Sequence, residues 1–76
     1  MTDRNKYLDA VLEITGGEAW KTIQEVMKDD IRNVETQELQ VSTWEEVLEL
    51  RGFRRALIYV HDFRNLAKLE KHNNAL

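Results

Sequence analysis

The sequence predicts an all-α protein, an antiparallel hairpin of two long helices preceded by a short one. Three observations carry this. Apolar residues recur at spacings of three and four along most of the chain. Proline is absent, and Gly16, Gly17 and Gly52 are the only glycines. Ser42-Thr43, followed by Glu45-Glu46, is a helix-start signal placed where two arms of similar length would meet.

The first helix is expected over about residues 3–14. Thr2 caps its first amides, and Tyr7, Leu8, Val11, Leu12 and Ile14 supply its apolar face. Thr15-Gly16-Gly17 ends it, because glycine accepts the left-handed conformation at a helix C-terminus. The second helix is expected over about residues 18–41. Ala19, Trp20, Ile23, Val26, Met27, Ile31, Val34 and Val41 lie within an arc of roughly 140° at 100° per residue, as an amphipathic helix requires. Asp30 falls inside that arc, and a carboxylate there needs a partner.

The third helix is expected over about residues 43–71, with Ser42–Glu45 or Thr43–Glu46 as its capping box. No glycine or proline marks the turn before it, so one continuous helix through residue 42 is the competing arrangement. A turn centred there sets Asp30 opposite Arg54, Ile31 opposite Phe53 and Met27 opposite Leu57. Asp30 is therefore expected to pair with Arg54 or Arg55, and Trp20, Ile31, Phe53, Leu57 and Val60 to form the hairpin core.

The last helix is apolar on two sides. One holds Leu50, Phe53, Ala56, Leu57, Val60, Phe63 and Ala67; the other holds Trp44, Val47, Leu48, Ile58, Leu66 and Leu69, with Tyr59 between. A single hairpin covers one face only, so the second implies further neighbours, and the protein is expected to be oligomeric. Gly52 and Ala56 share a side four residues apart, which admits close approach of another backbone. Trp44, Gly52, Ala56, Ile58 and Tyr59 are the expected interface residues.

Composition bounds the function. Seventy-six residues make one domain, near the size at which a core needs outside support. With no cysteine, neither disulfides nor zinc–thiolate sites are available, which suits a reducing cytoplasm. No apolar run reaches a membrane span, and no signal-peptide pattern opens the chain. His61 and His72 stand about three helical turns apart and share no metal. No HExxH, CxxC or phosphate-binding glycine loop is present, and no histidine is placed to activate Ser42 or Thr43. Glu25–Asp29 and Glu45–Glu49 read as solvated pairs. The chain is expected to be no enzyme and to hold no cofactor.

Charge is unevenly spread. Residues 1–50 carry five basic and twelve acidic side chains, and residues 51–76 carry six basic and two acidic, within a net charge of −3. The bland account is neutralisation between the two arms of the hairpin. The alternative is nucleic-acid binding or regulation through Arg51, Arg55, Arg64, Lys68 and Lys71 as phosphate contacts. A pI near 5.3 opposes it at long range. A third class is an inhibitor of a host enzyme, the acidic half standing in for nucleic acid.

The stretches Ile14-Thr15-Gly16-Gly17-Glu18-Ala19-Trp20, Thr43-Trp44-Glu45-Glu46-Val47, Leu50-Arg51-Gly52 and Ala56-Leu57 resemble small helical proteins of tailed bacteriophages. The resemblance covers most of residues 14–67. It implies no catalytic residue; it implies phage origin, a place in the virion or its head–tail assembly, and other phage proteins as partners. Residence in the host cytoplasm or the virion follows from the same likeness.

Overall fold

A computed structural model describes residues 3–75 and is all-helical, with α1 over Arg4–Ile14, α2 over Glu18–Gln40, α3 over Trp44–His61 and α4 over Phe63–Ala75. Most boundaries follow from local hydrogen bonding. Asp3 starts α1, its carboxylate accepting from the amides of Asn5 (3.0 Å) and Lys6 (3.3 Å). The cap expected of Thr2 lies outside the described residues. Thr43 rather than Ser42 starts α3, its hydroxyl accepting from Glu46 N at 3.2 Å. Residues 41–43 separate α2 from α3, so the continuous-helix alternative does not hold.

The end of α1 departs from expectation. Neither Gly16 nor Gly17 adopts a positive φ. Thr15 terminates the helix instead: it is buried, and its hydroxyl donates to Val11 O at 2.7 Å. Arg64 then reaches in from α4, donating to Leu12 O (2.8 Å) and Thr15 Oγ1 (3.3 Å). A guanidinium therefore satisfies one carbonyl, Leu12 O, of the last turn, where a left-handed glycine motif would otherwise serve. Gly16 is needed for room, since a Cβ there would sit 3.2 Å from Leu12 O and 3.5 Å from Arg64 Nη1.

The single helix expected over residues 43–71 is two helices, broken at Asp62. No residue of high helix cost stands there; the cause is tertiary. Gln24 Nε2, on α2, donates to His61 O at 2.8 Å and occupies a carbonyl of the helical ladder. His61 Nδ1 also donates to Asp62 Oδ1 at 2.9 Å, a side-chain pair at the break. A side chain inserted into the ladder is a standard cause of a kink. The break is one residue long, since Asp62 N still donates to Ile58 O and Leu66 N to Asp62 O. Past it the helix runs to Ala75, beyond the expected end.

Packing is pairwise, α2 against α3 and α1 against α4. Trp20, Met27 and Val34 are buried along α2, and one buried apolar cluster lies in the second pair. Leu8 (2% exposed), Val11 and Ala67 are buried there, with Tyr7, Leu12 and Phe63 against them. Arg4 and Lys71 bridge the same pair from opposite sides, to Glu70 (2.6 Å) and to Asp9. Trp20 links the two pairs, stacking on Phe63 with ring centroids 6.5 Å apart.

Between α2 and α3 the covered positions on α2 are Trp20, Gln24, Met27, Ile31, Val34, Glu38 and Val41. On α3 they include Val47, Leu50, Arg54, Leu57 and His61. These alternate steps of three and four, the pattern of a coiled-coil seam. Two polar pairs interrupt it, Gln24 with His61 and Glu38 with Arg54.

This seam overturns two expectations. Arg54 does not pair with Asp30. Its Nε faces Glu38 Oε1 at 3.2 Å, off the hydrogen-bond line, and its Nη1 lies 3.8 Å from Glu35 Oε1. Helical side chains lean toward their own N-terminus, so Arg54 reaches toward the α2–α3 turn, and Glu38 leans back to meet it. Asp30 is exposed beside Ile23 and Val26, because the seam runs one position later on α2. Phe53 is likewise not core: it is 56% exposed, and the neighbouring Arg54 takes the covered position. Of the other expected core residues, Trp20 is buried and Ile31, Leu57 and Val60 are half-buried.

Candidate protein interface

The surface is larger than one chain of this size requires. The accessible area is 6037 Å², whereas a compact 9.0 kDa monomer exposes about 4,900 Å². The radius of gyration is 15.5 Å against about 11 Å for a compact chain of this length. α3 has no fully buried residue. Ile23, Val26, Leu39, Trp44, Leu48, Phe53 and Ile58 of the α2–α3 pair are among the exposed large apolar residues.

The residue order assigns side chains to the two faces of the α2–α3 layer. Each step along a helix turns by about 100°, so the residue before a seam position lies on one side of the layer and the residue after it on the other. On the "before" side are Ile23, Val26, Asp30 and Gln37 from α2, and Glu46, Glu49, Phe53 and Val60 from α3. Gln37, Glu46 and Glu49 line one shared groove, which places both sets on the same side. On the "after" side are Lys21, Lys28, Arg32 and Leu39 from α2, and Leu48, Arg51, Arg55 and Ile58 from α3. Lys21, Lys28 and His61 line a groove there.

The five expected interface residues are all exposed but do not form one patch. Trp44 (62% exposed) and Ile58 belong to the "after" side, with Arg51 stacked 5.2 Å above the Trp44 ring. Gly52 lies at the outer edge, with nothing within 4 Å of where its Cβ would be. Ala56 is on the "before" side. Tyr59 is half exposed and meets Phe63 edge-on, with centroids 5.2 Å apart.

The five expected phosphate contacts are also divided. Arg64 caps α1, Lys71 pairs with Asp9 and Arg51 covers Trp44, while Arg55 and Lys68 are exposed. Arg4 and Glu70 hold each other charged. Their hydrogen bond is the main cause that raises the guanidinium pKa and lowers the carboxylate below its usual range. They flank an open groove of about 350 Å³ between α1 and α4, lined by Tyr7, Leu8, Val11, Phe63 and Leu66. Its walls are mainly apolar, with the Arg4–Glu70 pair, Asn73 and the two tyrosines Tyr7 and Tyr59 as the polar groups.

Among the described residues, no group of three or more His, Asp or Glu is placed to hold a metal ion, and no helix is long and apolar enough to cross a membrane. Sequence reasoning missed Gln24 and Glu38 and gave Arg64 another role, that of a phosphate contact; each of the three joins two helices. The signal for the first two was present: both stand at seam positions of the heptad pattern. Their partners were not legible. Comparison with known proteins gives no match, either to a family model, to a curated protein or to a solved structure.

Proposed function

We propose that the protein is a non-enzymatic interaction module, an antiparallel helical hairpin that self-associates and binds protein partners through the open faces of α2 and α3. The observation that supports it is the surplus of roughly 1,100 Å² over a compact monomer, with apolar side chains exposed on both sides of one helical layer. Such surface in a soluble chain marks an interaction site more often than a solvated face. A two-helix layer that cannot bury its own sides gains stability when another layer covers them.

The resemblance to helical proteins of tailed bacteriophages directs this reading toward the virion or its head–tail assembly. Mass spectrometry of purified particles from a phage that encodes the chain tests that assignment. Self-association itself is tested by light scattering from micromolar to millimolar concentration. The average mass is expected to rise above 9.0 kDa; a constant monomer mass overturns the reading. Nucleic-acid binding draws less support, because two of its five expected cations, Arg64 and Lys71, are held by hydrogen bonds or ion pairs within the chain.

A further inference from the structure

The two faces of the α2–α3 layer carry opposite charge. The "before" face holds Asp30, Glu46 and Glu49 and no basic side chain. The "after" face holds Lys21, Lys28, Arg32, Arg51 and Arg55, against Glu25, Glu35 and Asp62, and Lys21 is paired with Glu18 at 3.3 Å. Glu35 is already directed to Arg54. Each face also has an apolar component, Ile23, Val26 and Phe53 on the acidic side, and Leu48, Ile58 and Trp44 on the basic side.

We infer that the chain self-associates head to tail, the basic face of one copy docking on the acidic face of the next. This rests on the self-association proposed above and specifies its symmetry. A two-fold contact through the acidic face would bring together two surfaces that hold Asp30, Glu46 and Glu49 and no basic side chain. A two-fold contact through the basic face would bring together two surfaces of net positive charge. Like charges across an interface are strongly unfavourable, whereas unlike faces attract and steer encounter. Divided over the two faces, the surplus of roughly 1,100 Å² is about 550 Å² each, less than the about 800 Å² that a standard interface takes from one partner, so the contact is expected to be of modest affinity. A heterologous contact leaves one free face of each kind at the ends, so it grows into a closed ring or an open filament rather than stopping at two.

The test uses two variants of the full chain, each altered only at exposed positions. Arg51→Glu with Arg55→Glu blocks the basic face. Val26→Asp with Phe53→Asp blocks the acidic face by removing its apolar contact. Circular dichroism checks that both remain helical, and light scattering measures mass. The wild type is expected to exceed two copies as concentration rises. Each variant alone is expected to stay monomeric, with its dissociation constant raised about tenfold or more. Mixed, they are expected to form a 1:1 pair that grows no further, because each retains the face the other lacks. A wild type that stops at two copies, with no new species on mixing, leaves self-association standing and overturns the head-to-tail contact. A wild type that stays monomeric overturns both. If it binds DNA while monomeric and the arginine variant does not, the basic face belongs to nucleic acid and the inference falls.

Discussion

Arg64 is the residue whose role changes most between sequence and structure, and its removal has a calculable cost. Its Nη1 donates to Leu12 O at 2.8 Å and to Thr15 Oγ1 at 3.3 Å, in a half-buried setting at the C-terminus of α1. A hydrogen bond with a charged donor contributes about 1.5–3 kcal/mol, and a cation at a helix C-terminus adds about 0.3–1 kcal/mol. Water reaches part of this site and recovers some of the loss, so Arg64→Met is expected to destabilise by about 2 kcal/mol. In a chain of this size that lowers the melting temperature by roughly 8–16 °C. Arg64→Lys keeps the charge but loses the planar fork, and should recover about half of the loss. Thermal unfolding followed by circular dichroism measures both, at fixed low concentration because association raises apparent stability. Hydrogen exchange should show the α1 amides losing the most protection. An Arg64→Met melting temperature within about 2 °C of the wild type refutes the capping role. It would return Arg64 to the set of free surface cations.

Three glycine substitutions should differ in sign. Gly17 caps α2 without a side-chain bond in an extended conformation, so Gly17→Ser is expected to stabilise by about 0.5–1 kcal/mol in urea unfolding. Gly16→Ser should destabilise, because its Cβ crowds Leu12 O and the Arg64 guanidinium. Gly52→Ala meets open space inside a helix and should stabilise the monomer by about 1 kcal/mol; weaker self-association in the same variant would show close approach at that edge. Arg54→Leu leaves Glu38, 14% exposed at its side chain, without its partner and should cost about 2 kcal/mol, while adding Glu38→Leu should recover most of it in a double-mutant cycle. Glu70 has a depressed pKa, so its pairing with Arg4 stabilises the fold above the ordinary carboxylate pKa of about 4.3 and is lost as pH falls from there through the folded value. Tyr7 fluorescence or α1 hydrogen exchange should report loosening of α1 from α4 in that acid range; unchanged protection there would contradict the pairing.

The fold class and most helix ends were legible because their causes are local. The Thr43 cap and the Thr15 bonds that end α1 after Ile14 lie within a few residues, and α2 starts at Glu18 directly after the extended Gly17. The amphipathic arc of α2 was right in kind and displaced in angle. Hydrophobicity alone centred it on Ile23, Val26 and Asp30, whereas the seam passes through Gln24 and Glu38. Those two are polar and enter the seam because a second helix supplies their partners, which no single-helix pattern contains.

By itself, the sequence determined that the chain is helical, where its first three helices begin to within a residue or two, and that the last arm carries apolar residues on two sides. Tertiary structure alone decided the break at Asp62, the pairing of Arg54 with Glu38, the exposure of Phe53 and the use of Arg64 as a cap. The physical reason is common to all four. Periodicity and capping act within a turn or two of helix. The break depends on Gln24, 37 residues from the carbonyl it binds, and the cap joins groups 52 residues apart. Which groups meet over such separations is set by how packed helices cross and which way their side chains lean.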